Sequence, residues 1–192
     1  MSSVHRFTLG GTADTALGVV LRPGYQLPML PVSRDYAVEV AGRPGVHVFG
    51  SDLGPRRIVL DLTILDGTTM AELQALVRTF SEVLLDQDGK PEDVSLVFDM
   101  ESTKTYTVRY AGSLPLKRLI GGSLGEISLP LLAADPFAYA AEDTDTYNVV
   151  AAYQTMAVVN AGDYRTPPTF TITVNVGSPD VTGFTLIVRQ LK

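Results

Sequence analysis

The chain has 192 residues, 45% of them hydrophobic and 19% charged, and no cysteine, which excludes disulfide frameworks, thiolate metal sites and cysteine nucleophiles. Its formal charge of -6 comes with no Lys/Arg block beyond Arg56-Arg57 and Lys117-Arg118, which disfavours ordinary nucleic-acid binding, since gripping a phosphate backbone takes clustered cations. No uninterrupted apolar segment is long enough to cross a bilayer, and Met1 to Arg6 lacks the basic-then-apolar order of a leader, so the chain reads as soluble, not exported and not inserted in a membrane.

Eight Tyr and seven Phe with many Val, Thr, Ile and Leu predict a mainly β protein, because branched and ring side chains suit a pleated, half-buried surface. In chain order, Gly and Pro first concentrate in Arg22 to Pro31 and in Gly42 to Pro55. The second of these loops carries Gly42, Arg43, Pro44, Gly45, Val46, His47, Val48 and Phe49. Two readings of it stay open: a projecting hairpin or arm whose apolar content needs a partner, and a loop folded back on its own core.

Ile58 to Leu65 alternates with a period of two, Ile58, Leu60, Leu62 and Ile64 on one face, and predicts a strand. Met70, Leu73, Val77, Phe80 and Leu84 then recur at three and four, an apolar stripe that predicts a helix over about 69 to 87 lying across a sheet. Thr69 and Glu72 have capping-box spacing, and Asp88-Gly89 followed by Pro91 supplies the stop. Strand rhythm returns at Val94 to Phe98, Tyr106 to Tyr110, Ile127 to Leu131, Phe170 to Val176 and Phe184 to Val188. Between Leu131 and Phe170, Asp135-Pro136 and the acidic stretch Glu142 to Asp145 mark a boundary. The predicted organisation is a first domain at 1–138 and a second, short β region at 145–192.

The sequence is poor in reactive chemistry, and no catalytic, cofactor-binding or metal-binding residue is assigned. The two histidines, His5 and His47, lack an acidic or serine pattern that would make a relay. Glu142, Asp143 and Asp145 begin like a calcium loop, but Tyr147-Asn148-Val149 follows where glycine and a distal glutamate belong, so they read as a solvated linker. Asp99 and Glu101 sit at the end of a predicted strand and read as a turn. Gly10-Gly11 and Gly121-Gly122 are turn punctuation, and no glycine-rich segment ends in Lys-Ser or Lys-Thr.

Taken in order, Gly42-Arg43-Pro44-Gly45, Phe49-Gly50, the strand from Pro55 to Ile64, the helix, the Tyr- and Val-rich strands and the ending Asp135-Pro136-Phe137-Ala138-Tyr139 resemble the siphophage tail-component family that includes the distal tail proteins. Asn160-Ala161-Gly162 and Pro167-Pro168-Thr169-Phe170 resemble the start of that family's galectin-like second domain.

The resemblance implies an N-terminal β-sandwich or split-barrel-like domain with one packed helix, followed by a shortened galectin-like region. It implies a non-enzymatic virion protein assembled in the host cytoplasm, a hexameric ring at the distal end of the tail. That ring joins the tail tube to tip and receptor-binding proteins, and DNA passes through it without specific binding. Gly42, Arg43, Gly45, Val46, Val48 and Phe49 are then the inter-subunit loop, and Asp135, Pro136, Phe137 and Tyr139 the domain junction. The competing reading is a carbohydrate-binding β-sandwich module, with Tyr147, Tyr153, Tyr164 or Phe170 offering ring faces to sugars.

Overall fold

The computed structural model describes residues 6–23, 30–64, 70–118, 125–148, 154–159, 162, 164 and 169–173. The chain divides into two compact units, Met1–Glu142 and Asp143–Lys192.

The described part of the first unit contains an eight-stranded antiparallel sheet. Its strands are β1 (Phe7–Leu9), β2 (Thr12–Ala13), β3 (Val19–Leu21), β6 (Arg56–Ile64), β7 (Asp93–Phe98), β8 (Thr105–Tyr110), β9 (Leu116–Arg118) and β10 (Gly125–Ala133). The order across the sheet is β2-β1-β7-β8-β10-β6-β3, with β9 also paired to β10. β6 and β10 form its spine, in register from Glu126↔Thr63 to Ala133↔Arg56. The period of two in both strands puts Ile58, Leu60, Leu62 and Ile64 beside Ile127, Leu129, Leu131 and Ala133 on one face, all buried.

The helix α1, Met70–Leu84, closes that face. Phe80 and Leu84 are buried in the same cluster as Phe7, Leu9, Leu96, Phe98 and Val108, with Leu76 and Val83 packed against it. Leu85 and Pro91 make a bridge after α1, and Gly89, at φ +74°, turns the chain into β7. The predicted stop is therefore observed, whereas the capping pair at Thr69 lies outside the described residues.

The strands predicted around Ile58, Val94, Tyr106 and Ile127 are β6, β7, β8 and β10. β1, β2 and β3 were not foreseen. They hold two or three residues each, too few for alternation to be visible. In the second unit, residues 169–173 form no strand, contrary to the rhythm of Phe170 and Ile172, and both of these side chains are exposed. Alternation marks a potential half-buried surface and becomes a strand only where a neighbouring strand takes its backbone hydrogen bonds. Val174 to Val188 lie outside the described residues.

Candidate functional site

Between β3 and β6 the chain forms a second, separate sheet of two strands, β4 (Ser33–Glu39) and β5 (Val46–Leu53). Gly42 and Gly45 sit in its turn at φ +81° and +87°, a backbone that L side chains rarely adopt, and the Arg43 amide donates to the Val40 carbonyl at 3.1 Å. At the base, the Gly54 amide donates to the Val32 carbonyl at 2.7 Å. Of the two readings of the Gly42 loop, the observed one is the hairpin.

The register sorts its side chains onto two faces. Ser33↔Leu53, Asp35↔Ser51, Ala37↔Val48 and Glu39↔Val46 share one face, while Arg34↔Asp52, Tyr36↔Gly50 and Val38↔His47 share the other. The pairing slips by one residue between Tyr36 and Ala37, leaving Phe49 as the extra residue of a bulge. Phe49 points to the Tyr36 face, where its ring lies edge-on to His47 with centroids 4.9 Å apart.

Base and tip differ in chemistry. At the base, the Ser51 and Ser33 hydroxyls donate to Asp35 Oδ1 at 2.7 and 3.3 Å, and the Tyr36 hydroxyl is hydrogen-bonded to Asp52, which raises the phenol's pKa. At the tip, both faces carry apolar side chains, Ala37, Val46 and Val48 beside Glu39 on one and Val38 and Phe49 beside His47 on the other. Every residue of β4 and β5 is exposed, including Phe49 at 69% and Val46 at 55%. A two-stranded hairpin is marginal by itself in water, and its apolar side chains are left open to solvent.

Of the residues expected in an inter-subunit loop, Gly42, Arg43 and Gly45 make the turn, while Val46 and Val48 occupy one face and Phe49 the other. Tyr36, Val38 and Val40 belong to the same surface, yet they lie outside the glycine-rich loop that drew attention to it. Their signal is the alternation Tyr36, Val38, Val40, legible only once β4 is read as the partner of β5.

The junction residues are also brought together. Asp135 Oδ1 accepts from the Phe137 amide at 3.1 Å, and Oδ2 accepts from the Tyr139 hydroxyl at 2.6 Å, a bond that raises the Tyr139 pKa. Pro136 is buried. Tyr139 then exchanges two backbone hydrogen bonds with Thr105, at 2.8 and 2.9 Å. Leu131 faces Tyr110, whereas Tyr139, eight residues on, faces Thr105, only five residues back, so three residues loop out between the two pairings. Asp135-Pro136 thus bends the chain after β10 and returns it to the edge of β8, which explains why the first unit extends beyond Ala138.

The sheet face opposite the core is rich in hydroxyls and carries several locally paired charges beside the exposed Arg57. Arg109 grips Asp93 through two bonds at 2.9 and 3.2 Å, Arg22 pairs with Glu126 at 3.2 Å, and Ser128 donates to Asp61 at 2.6 Å. Asp99 and Glu101 lie in a single 3₁₀ turn on the surface. His47 belongs to the hairpin, and His5 lies outside the described residues. Among the described residues no three His, Asp or Glu side chains are grouped to hold a metal ion, and no helix is long and apolar enough to cross a membrane. In the second unit the Tyr147 hydroxyl donates to the Ala157 carbonyl at 3.1 Å, which ties the ring's polar end to its own loop.

Residues 15–133 match the model of the phage tail protein RIFT-related domain, a span that starts ahead of β3, takes in the hairpin and ends with β10. The fold is that of the Dit protein of phage SPP1, described as a paradigm of the hub adsorption apparatus in phages infecting Gram-positive bacteria, with a TM-score of 0.59 and 18% sequence identity. That alignment covers 72% of this chain and 53% of the SPP1 protein, so the chain corresponds to about half of that relative's length. No curated protein matches.

Proposed function

Because the chain belongs to the siphophage tail-protein family defined by the RIFT-related domain, a family of structural virion proteins and not of enzymes, we propose that it is the distal tail ring subunit. Six copies close a ring beneath the last ring of the tail tube, assembled in the host cytoplasm. The first unit surrounds the DNA passage, and the second unit, a shortened galectin-like region, holds tip or receptor-binding proteins.

The observation that carries this reading is the hairpin β4–β5, a strand pair with apolar side chains on both faces of its tip and no cover from its own chain among the described residues. A subunit that closes a ring needs surface that is completed by neighbours, and such an element supplies it. The sheet face opposite the core supports the DNA passage. Arg109 and Arg22 are tied to carboxylates there, and the chain's net charge of -6 disfavours phosphate binding, so DNA slides past without being held.

Native mass spectrometry of the purified protein tests the proposal. A six-subunit species that dissociates when Phe49 is replaced by serine is expected. A protein that stays monomeric at high concentration, alone and with the tube protein, would overturn it.

A further inference from the structure

β10 is held along its whole length. It pairs with β6 from Glu126↔Thr63 to Ala133↔Arg56, with β8 at Leu131 and Leu132 and with β9 at its other end, and Ile127, Leu129, Leu131 and Ala133 are buried. The residues that follow, 134–139, are attached differently. Ala134 and Asp135 are exposed, Pro136 is buried, and the stretch is tied back to β8 by the isolated bridge Thr105↔Tyr139, with backbone bonds of 2.8 and 2.9 Å. Beyond Tyr139 the chain as far as Asn148 is exposed and forms no helix or strand.

We propose that residues 134–139 are a releasable strap. Tension arriving along the chain from the second unit frees Tyr139 from Thr105 and draws out the slack behind it, while β10 stays docked in the sheet.

The bridge has no neighbouring pair, so its two bonds take a pull together, whereas a pull along the axis of β10 is shared by every pair that strand makes with β6 and β8. The slack is already present. From Leu131 to Tyr139 the chain advances eight residues while its partner β8 advances five, from Tyr110 to Thr105, and the three left over correspond to about 10 Å of extended chain. The bend that stores this length is held from within the strap. Asp135 accepts from the Phe137 amide and from the Tyr139 hydroxyl, so drawing the slack out must also break these two bonds. Pro136 fixes the backbone beside Asp135 and restricts the released strap, which favours its return to the same bend.

In a ring subunit, such a strap gives the second unit about 10 Å of reach without loosening the sheet. The inference goes beyond the ring reading and does not depend on it, because every residue it uses belongs to the first unit of a single chain.

Optical tweezers on the full chain test it. The protein has no cysteine, so Thr63→Cys and Asp143→Cys supply the two thiols to which handles are attached. Thr63 lies opposite Glu126 at the far end of the β6–β10 pairing, so the pull loads that pairing in shear, and a handle at Asp143 leaves the second unit outside the load path. A reversible early step of about 10 Å is expected, followed at higher force by the opening of the first unit. Asp135→Ala is expected to lower the force of the early step or abolish it, and to leave the force of the main opening unchanged. A first unit that opens in one event with no earlier step would overturn the inference, as would an early step that Asp135→Ala leaves unaltered. An Asp135→Ala protein in which both forces fall together would show strap and sheet yielding as one body, which also overturns it. Single molecules are measured, so a failure to form rings leaves this result untouched.

Discussion

The same substitution placed at two phenylalanines separates folding from assembly. Phe80 on α1 is 1% exposed and packed into the main core, and Phe49 on the hairpin is 69% exposed. Phe80→Ala therefore removes a whole buried ring and is expected to cost about 3–5 kcal/mol of unfolding free energy. In Phe49→Ala only about a third of the ring leaves water when a single chain folds, which limits the loss in the monomer to roughly 0.5–1 kcal/mol at ~25 cal/mol per Å². The remaining two thirds becomes buried on association, worth about 1–2 kcal/mol per contact, or roughly a 5- to 30-fold weaker interface. Urea unfolding of dilute protein reads the first quantity and sedimentation velocity across a concentration series reads the second. A Phe49→Ala protein that unfolds as readily as Phe80→Ala, or that assembles as well as the wild type, would refute the assignment of the hairpin as an uncovered contact surface.

Further predictions concern the turn at β1–β2 and the exit from the first unit. Gly10 and Gly11 both have positive φ, but a Cβ on Gly10 would lie 2.9 Å from Val83 Cγ1 while one on Gly11 meets open space. Gly11→Ala is expected to cost about 1–2 kcal/mol from the backbone alone, and Gly10→Ala more than that because Val83 and α1 must shift, a ranking read by urea midpoints. Tyr139→Phe removes the bond to Asp135, and the Thr105 amide, which donates to the Tyr139 carbonyl, is expected to exchange faster with deuterium. The raised Tyr139 pKa means that the folded state favours the protonated phenol, so the stability from this bond is complete below the ordinary value of 10.0 and is lost as pH climbs past the raised one. In Asp135→Asn, spectrophotometric titration should show Tyr139 ionising at lower pH than in the wild type.

What the sequence revealed depended on where each element sits. β6, β7, β8 and β10 face the core on one side and water on the other, so their period of two is plain, and α1 shows its stripe through Phe80 and Leu84 because one side of it lies on the sheet. β4 and β5 gave no such contrast. Val38, Val40, Val46, Val48 and Phe49 are apolar on both faces, a pattern that arises when burial comes from outside the chain, and Gly42 and Gly45 made the region look like a loop. β1 to β3 owe their place to long-range pairing such as Leu9↔Leu96 and Val19↔Ile64, which no local pattern records. The junction was legible as Asp135-Pro136-Phe137-Ala138-Tyr139 because its hydrogen bonds are local, although the return of Tyr139 to Thr105 was not.

The central claim, a tail-ring subunit that closes through its hairpin, is tested most directly by electron microscopy of the purified protein mixed with the tube protein. A six-fold ring seated at one end of the tube, lost in Phe49→Ser, is the predicted result. Tubes with bare ends beside monodisperse monomers would contradict the account.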